Sequence, residues 1–186
     1  MKKPSAPEQF DLKEGIEFEN GFYEGVTVKK LVLYQQVIYV DTNTSTDESK
    51  RILLSLLAWA KETHGITFDP ALISKWAYIS DIIFRTDFPL LEYQNPILRT
   101  VASKISEEVQ RNLHEGLIFS AGEFKISHDP SKRSATIASF SIQHRGVLEY
   151  EQNIFFSEAP VPTSVHLELL ELVEKKFRAV YDYENR

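Results

Sequence analysis

Four side chains of this sequence could together carry out metal-assisted chemistry: Asp41, Asp81, Glu123 and Lys125. Asp41 ends the β-forming run VIYV, and Glu123 and Lys125 alternate in the short stretch EFKI. Carboxylates that gather around Mg²⁺ can activate a water molecule for phosphoryl chemistry, and a nearby lysine can orient that water. These residues define one hypothesis, a metal-dependent nuclease or phosphotransferase, which requires the carboxylates to converge in space.

The stretch VDTNTSTDES, residues 40–49, resembles the beginning of several kinds of metal site. A calcium loop starting at Asp41 needs glycine at its sixth position and glutamate at its twelfth, where this sequence has Thr46 and Ile52. Haloacid-dehalogenase-like phosphotransferases begin with Asp-x-Asp, and the second acid is here Asn43. PIN-type nucleases continue from a similar Asp-Thr-Asn into an apolar helix, whereas polar residues follow here. Each resemblance is incomplete.

The same stretch has the features of a helix start. Ser45 can accept a hydrogen bond from the first turn, and Glu48, three residues later, completes the capping-box pattern. Apolar residues then recur at helical spacing as far as Gly65, a common helix-ending residue. We therefore predict a helix over residues 45–64 and favour this interpretation over a metal site at Asp41.

The pair formed by Glu123 and Lys125 resembles the Glu-x-Lys strand of restriction-type nucleases. Such a site needs a further carboxylate, usually on the adjoining strand. The strand pairing predicted below places Ser139 opposite Glu123, and the sequence does not fix the position of Asp81 in a sheet. Alternating Glu and Lys is also common on solvated strand faces, and we favour that interpretation.

The composition narrows the classes of function. The chain has 186 residues, enough to bury a core without disulfides or bound metals. Its net charge of −6 disfavours nonspecific binding to the phosphate backbone of nucleic acids. The absence of cysteine excludes thiol catalysis and favours a reducing, cytoplasmic location. No apolar run approaches the ~20 residues that span a bilayer, so no membrane partner is expected.

Motifs for cofactor binding are missing from the sequence. Its glycines form neither a dinucleotide-binding fingerprint nor a phosphate loop, and no G-x-S-x-G elbow occurs. His128 and His144 fall at opposite ends of one predicted hairpin, so they cannot share an ion within one chain. We therefore predict no cofactor and no metal.

Two more helices follow from capping patterns. Asn95 and Pro96 are a typical cap and first helical residue, and the apolar stripe that follows predicts a helix that ends at Gly116. The last helix follows the segment EAPVPT, with Thr163 or Ser164 as its cap. Its apolar positions are wider than one narrow stripe, which indicates cover on two sides.

The strands are predicted from alternation and turn residues. Asn20-Gly21 suits a type I′ turn and predicts a first hairpin. The segment KKLVLYQQVIYVD is interpreted as two strands around Gln35-Gln36. Residues 73–85 form another strand, placed centrally because both of its faces are apolar.

A three-stranded meander is predicted for residues 117–156. In its first hairpin Phe124 pairs with Ala138, and in its second Phe140 pairs with Tyr150. This register collects apolar residues at even-numbered positions of all three strands, and a slip by one residue would lose the match. We therefore predict that the even-numbered face is buried.

These elements predict an α+β fold. It consists of a single, mainly antiparallel sheet of about six to seven strands, with three helices packed mainly on one face. Residues 1–9 are predicted to be a flexible N-terminal arm, and residues 10–186 a single domain.

The leading functional hypothesis is a non-catalytic protein-interaction or structural subunit, whose partner is another protein or a second copy. An acidic inhibitor or immunity-type protein is a specific version, and it predicts a basic partner whose affinity falls with added salt. The predicted interaction surface contains Phe88, Leu91, Tyr93, Glu149 and Glu151, although the first three also suit the cover of a sheet end. The alternatives are the metal-dependent enzyme and a carrier of a small apolar ligand.

Overall fold

A computed structural model of the chain describes residues 11–129, 131, 137–146 and 148–186. These residues divide into two compact units, unit 1 up to Trp76 and unit 2 from Ala77 onward. The predicted arm at residues 1–9 lies outside the described residues, and the single domain over residues 10–186 stays a prediction.

Unit 1 contains an antiparallel sheet and one long helix. Its elements are β1 (Ile16–Tyr23), β2 (Val26–Leu33), β3 (Ile38–Thr42) and α1 (Thr46–His64), and the strands pair in the order β1-β2-β3. Val28 and Leu31 of the sheet pack against Ile52 and Leu53 of the helix, and these residues form the buried core of the unit.

The first hairpin turns later than the sequence predicts. Asn20 and Gly21 lie inside β1, and the turn is made by Glu24 and Gly25, with φ angles of 47° and 84°. Positive φ at both central residues is what a type I′ turn requires. A long-range contact supports this turn, because the Glu24 carboxylate lies 2.5 Å from the Arg51 guanidinium of α1. The prediction at Asn20-Gly21 was therefore wrong.

The predicted start and end of α1 are confirmed. The Ser45 hydroxyl accepts a hydrogen bond from the Glu48 backbone N–H at 3.2 Å, and Gly65 ends the helix at a φ of 65°. The Glu48 carboxylate accepts two hydrogen bonds from Arg51, at 3.0 Å and 2.7 Å.

In the described residues, unit 2 contains a four-stranded antiparallel sheet and two long helices. The elements are β4 (Ser80–Arg85), α2 (Pro96–Leu113), β5 (Glu123–Ile126), β6 (Phe140–His144), β7 (Ile154–Ala159) and α3 (Thr163–Glu184). The strand order is β4-β7-β6-β5. Short 3₁₀ turns at Leu90–Tyr93 and Tyr150–Gln152 lie between these elements.

One face of this second sheet carries the core of unit 2. Ile142 of β6 and Phe155 of β7 are completely buried, and they pack with Leu170 of α3. Leu90 and Leu91, from the first 3₁₀ turn, are also completely buried in this cluster. The 3₁₀ turn is therefore anchored in the core, and it can hold its polar side chains in fixed positions.

The α+β class and the three helices are confirmed, whereas the single sheet of six to seven strands was wrong. The described strands form two sheets, of three and four strands. The strands of unit 1 pair through short turns with their neighbours in sequence and pack against α1. The strands of unit 2 pack against α3 instead, so each sheet has its own helix and core.

β4 is shorter and differently placed than the sequence predicts. It begins at Ser80 instead of residue 73, and it lies at an edge of its sheet instead of the centre. Ile79 and Ile83, which suggested a second buried face, are 55% and 53% exposed. Apolar residues on both faces therefore did not indicate burial on both faces.

The meander register also differs from the prediction. Phe124 pairs with Ile142 instead of Ala138, a shift of four positions that keeps the even-numbered side chains of β5 and β6 on one face. Phe140 and Ile142 are buried, whereas Ile118 and Ile126 are 87% and 57% exposed, so the predicted burial was wrong for these two residues. Ile142 pairs with Ser157 of β7, whereas the prediction paired it with Leu148. The partner of Ile142 thus lies nine residues later in the chain than predicted (157 − 148 = 9). Because nine is an odd number, the odd-numbered positions of β7 face the core. Part of the predicted first hairpin loop lies outside the described residues.

The other two helices begin and end close to the predicted positions. The Asn95 side chain accepts a hydrogen bond from the Ile97 N–H at 2.9 Å, and α2 ends at His114 in a left-handed conformation, before Gly116. α3 begins at Thr163, directly after Pro162 and without a side-chain cap, so the predicted cap at Thr163 or Ser164 was wrong. Among the helices that the structure describes, none is sufficiently long and apolar to cross a bilayer.

Candidate binding pocket

Unit 2 contains a small pocket at one end of its sheet. Its volume is about 250 Å³, and it is lined by Pro89, Glu92, His144, Tyr150, Glu151 and Asn153. This volume is below the ~300–1,000 Å³ of typical pockets for drug-sized ligands. The pocket therefore suits one amino-acid side chain or a comparably small group.

The two 3₁₀ turns position most of the lining. Glu92 lies in the turn that the buried Leu90 and Leu91 anchor. Tyr150 and Glu151 lie in the second turn, which ends when the Asn153 N–H donates to the Tyr150 carbonyl at 3.0 Å. Asn153 has a φ of 52°, in the left-handed region that asparagine tolerates better than most residues.

A second contact fixes Asn153 against the sheet. The Asn153 carbonyl accepts a hydrogen bond from the Thr86 N–H at 3.1 Å, immediately after β4. The Thr86 hydroxyl donates to the Phe88 carbonyl at 2.6 Å, just before Pro89 of the pocket. The end of β4 thus ties the two walls of the pocket together.

An aromatic stack forms another wall. The rings of His144 and Tyr150 lie 3.7 Å apart between centroids and are nearly parallel, at 7°. The His144 ring also packs against the buried Phe155, at 4.8 Å. The Tyr150 side chain nevertheless remains 47% exposed, so the stack has surface available for a ligand.

The polar side chains of the lining have no hydrogen-bond or ion-pair partner among the described residues. This is true of Glu92, His144, Glu151 and Asn153. The Asn153 Oδ1 atom is buried, and an unsatisfied buried acceptor costs about 1–3 kcal/mol. Among the residues that the structure describes, no lysine or arginine lines the pocket. The described lining therefore presents acceptors and negative charge and contributes no cation of its own.

Burial perturbs the carboxylate of Glu92. Desolvation raises the pKa of Glu92, the positive charge of Arg99 opposes this effect, and the negative charge of Glu151 adds to it. Arg99 already interacts with two other groups, because its guanidinium lies 2.6 Å from the Glu184 carboxylate and over the ring of Tyr93. Glu92 therefore remains a carboxylate that an external cation would stabilise.

Burial also affects the imidazole of the pocket. It lowers the pKa of His144, an effect that the nearby Glu151 opposes. Near pH 7 the ring is consequently neutral and adds no positive charge to the pocket. Its unprotonated nitrogen can accept a hydrogen bond.

The residues predicted for metal chemistry do not form a site in unit 2. Asp81 on β4 and Glu123 on β5 occupy opposite edges of the sheet, about 14 Å apart across three strand spacings. Lys125 lies 3.6 Å from Glu123. Asp41 belongs to unit 1, where it pairs in register with Lys30. In the described parts of the chain, no three His, Asp or Glu residues are placed to hold a metal ion.

A buried serine–histidine pair occurs elsewhere in unit 2. Ser157 Oγ donates to the Ser141 carbonyl at 2.6 Å, so at 2.8 Å it accepts from His166 Nε2. A catalytic serine needs the opposite polarity, in which histidine accepts the hydroxyl proton. Both side chains are completely buried. This pair therefore joins α3 to the sheet and does not resemble a working nucleophile.

The predicted interaction surface is divided by the structure. Phe88 and Leu91 are core residues, 1% and 0% exposed. Tyr93 is partly buried and packs edge-on against Tyr181 at 5.1 Å. Glu149 and Glu151 are exposed, and of these two Glu151 lines the pocket. The role of these two acids in binding stays a prediction.

Sequence reasoning missed Glu92, His144, Tyr150 and Asn153 as members of one site. The cause is the wrong register of the third meander strand, which placed Tyr150 opposite Phe140 in the core. Tyr150 instead lies in a 3₁₀ turn that Asn153 ends. Asparagine is favoured at such left-handed positions, and this was the available signal for a break before β7.

This arrangement can bind a small group that carries positive charge and several hydrogen-bond donors. It offers two carboxylates, an amide oxygen and a neutral imidazole beside a flat aromatic surface.

No protein family, curated protein or solved structure matches this chain significantly.

Proposed function

We propose that this protein is a non-catalytic interaction protein that binds a basic partner protein through the pocket of unit 2. The observation that carries the proposal is the set of acceptor side chains in the pocket, which have no partner among the described residues. The net charge of −6 supports it, because an acidic surface attracts a basic partner during encounter. An acidic inhibitor is one specific form of this function, and a cytoplasmic location remains part of the proposal.

The metal-dependent enzyme is less well supported. Its carboxylates need to converge within a few ångströms, whereas Asp81 and Glu123 lie at opposite sheet edges. The exposed ion pair between Glu123 and Lys125 fits a solvated strand face. The buried hydroxyl of Ser157 offers no alternative nucleophile, because its proton is donated to a carbonyl oxygen.

A peptide array tests the proposed function. The labelled full-length protein is applied to random-sequence peptides in about 50 mM and about 500 mM NaCl, which shortens the Debye length severalfold. We expect the bound peptides to be enriched in lysine and arginine, and the binding to weaken at the higher salt concentration. Light scattering of the same sample records whether the protein self-associates.

The control variants are Glu151→Gln and Glu149→Gln. Both residues are exposed and both variants lose one negative charge, but Glu151 lines the pocket and Glu149 does not. We expect only Glu151→Gln to reduce the selection of basic peptides substantially. Bound peptides without any enrichment of basic residues would contradict the proposed function.

A further inference from the structure

We infer that the pocket of unit 2 binds the guanidinium group of an arginine side chain from the partner protein. This inference rests on the proposed function and specifies the chemical group that the pocket receives. Its basis is the combination of size, hydrogen-bonding atoms and aromatic surface in one place.

The hydrogen-bonding atoms favour a group that only donates. The carboxylates of Glu92 and Glu151 are acceptors, Asn153 adds an amide oxygen without a partner, and no charged donor is found among the described lining residues. A guanidinium carries five N–H donors in a planar fork and no acceptor, so it can reach several of these oxygens together. A hydroxyl or amide ligand would bring acceptors of its own into an acidic space.

The buried amide oxygen is an independent indication of a donor ligand. Asn153 Oδ1 has no hydrogen bond, although the backbone of Asn153 is held on both sides by Thr86 and Tyr150. These contacts hold the backbone of Asn153 and not its side chain. Because Oδ1 is closed off from solvent, a donor in the pocket reaches this acceptor by rotation of the Asn153 side chain, while the backbone of the turn stays in place.

The aromatic surface distinguishes a flat cation from a compact one. His144 covers one side of the Tyr150 ring, and the side chain of Tyr150 remains 47% exposed. A planar, weakly hydrated guanidinium stacks on aromatic rings better than an ammonium group does. The same unit already contains two such contacts, Arg99 over Tyr93 at 4.9 Å and Arg178 over Phe88 at 4.5 Å.

The volume and exposure of the site also fit an inserted side chain. A pocket of about 250 Å³ can hold the end of one long residue, while the exposed Glu151 at its rim meets the partner surface. The partly buried Glu92 lies deeper, where water screens charge less than at the surface. The deeper carboxylate therefore gains most from a cation.

Blocked pentapeptides test the inference by nuclear magnetic resonance on the full chain. The peptides are Gly-Gly-Arg-Gly-Gly and its lysine and citrulline counterparts, and free arginine is a further probe. The readouts are the side-chain amide of Asn153 and the ring resonances of Tyr150. We expect the arginine peptide to shift both and to bind ~5-fold or more tightly than the lysine peptide.

The other probes test whether binding depends on the charge of the ligand, and whether the ligand is part of a peptide or a free small molecule. Citrulline has nearly the same shape as arginine without the charge, and we expect it to leave both resonances unchanged. Free arginine carries an ammonium and a carboxylate whose charges offset each other, and it lacks the flanking peptide groups that a partner protein supplies at the rim, so it should bind more weakly than the blocked peptide. Equal or tighter binding of free arginine would show that the ligand is a small molecule and would overturn the assignment to a partner protein.

Matched variants locate the binding. Glu151→Gln should weaken the arginine peptide by ~10-fold, the usual effect of losing one charge-assisted hydrogen bond, while Glu149→Gln should change it by less than ~2-fold. Glu92→Gln gives a second variant inside the pocket. Circular dichroism confirms that each variant is folded before its binding is interpreted.

Three further results would overturn the inference. They are equal binding of arginine and lysine peptides, arginine binding that neither Glu151→Gln nor Glu92→Gln reduces, and the absence of any shift at Asn153 and Tyr150. If the peptide array still selects basic peptides in these cases, the proposed function stands and only the guanidinium site is wrong. If the array shows no such selection, the proposed function fails as well.

Discussion

At the scale of single residues, the pocket contains groups that the folded chain does not satisfy. Glu92 is a carboxylate whose pKa burial raises, and Asn153 keeps a buried oxygen without a donor. Such positions reduce stability, and binding sites often retain them because a ligand compensates for the loss. Substitutions that remove the unsatisfied group should therefore stabilise the free protein and weaken its binding.

Glu92→Gln is expected to raise the melting temperature near pH 7. A raised pKa in the folded state means that folding favours the protonated carboxyl, and the associated stability is lost as the pH rises through the folded-state pKa. The variant does not lose stability in this way, so its advantage over the wild type should be present near pH 7 and vanish near pH 4, where the carboxyl is protonated in both states. Thermal unfolding at several pH values tests this, with Glu149→Gln as the control for charge.

Asn153 allows the backbone and side-chain effects to be separated. Because its φ is 52°, Asn153→Ala should lower the free energy of unfolding by about 1 kcal/mol, the penalty of a left-handed conformation for a residue with a Cβ atom. Asn153→Gly tolerates this φ and removes the unsatisfied oxygen, a gain that the greater freedom of glycine in the unfolded chain offsets, so it should be close to neutral. Urea unfolding distinguishes the two, and equal losses would show that the asparagine side chain itself stabilises the turn.

At the scale of elements, two of the three predicted helix caps were correct, and the predictions of strand pairing were less reliable. The caps at Ser45 and Asn95 were predicted correctly, because a cap depends on residues a few positions apart. The first turn was placed at Asn20 instead of Glu24, whose carboxylate contacts Arg51, 27 residues away. The pocket was missed because its lining depends on the second pairing of the meander. Contacts between distant residues are not visible in a single sequence pattern.

The turn at Glu24-Gly25 gives a test of backbone conformation alone. Gly25 has a φ of 84°, and a Cβ atom there would have no heavy atom of the surroundings within 4 Å. Gly25→Ala should therefore cost about 1 kcal/mol through its positive φ and nothing through a clash. Gly146, which also has no neighbour within 4 Å and does not have a positive φ, is the matched control. An equal effect of Gly146→Ala would contradict this explanation.

The hydrogen-bonded chain from α3 to β6 should be among the most sensitive contacts of unit 2. Ser157→Ala leaves His166 Nε2 without its partner in the core and removes one hydrogen bond to the Ser141 carbonyl, with an expected cost of about 2 kcal/mol. Ser127→Ala removes an exposed serine and should change stability by less than about 0.5 kcal/mol.

Burial lowers the pKa of His166, an effect that the Ser80 backbone opposes, so the stability of unit 2 should also fall as the pH drops below about 6.5.

At the scale of the whole molecule, the two units differ in a way that makes them separately observable. Both tryptophans of the chain, Trp59 and Trp76, belong to unit 1, and unit 2 contains none. Each unit also has its own buried core. Tryptophan fluorescence therefore reports the unfolding of unit 1, whereas far-ultraviolet circular dichroism reports both.

We expect the two units to unfold independently, because each core is built from residues of one unit. Ser157→Ala should then shift the part of the dichroism transition that belongs to unit 2 and leave the tryptophan transition in place. Gly25→Ala should do the reverse. Coincident transitions that both variants shift equally would show a single cooperative domain over residues 10–186, as the sequence predicts. In that case a ligand in the pocket of unit 2 would also stabilise unit 1, since ligand binding to the folded state stabilises the whole cooperative unit.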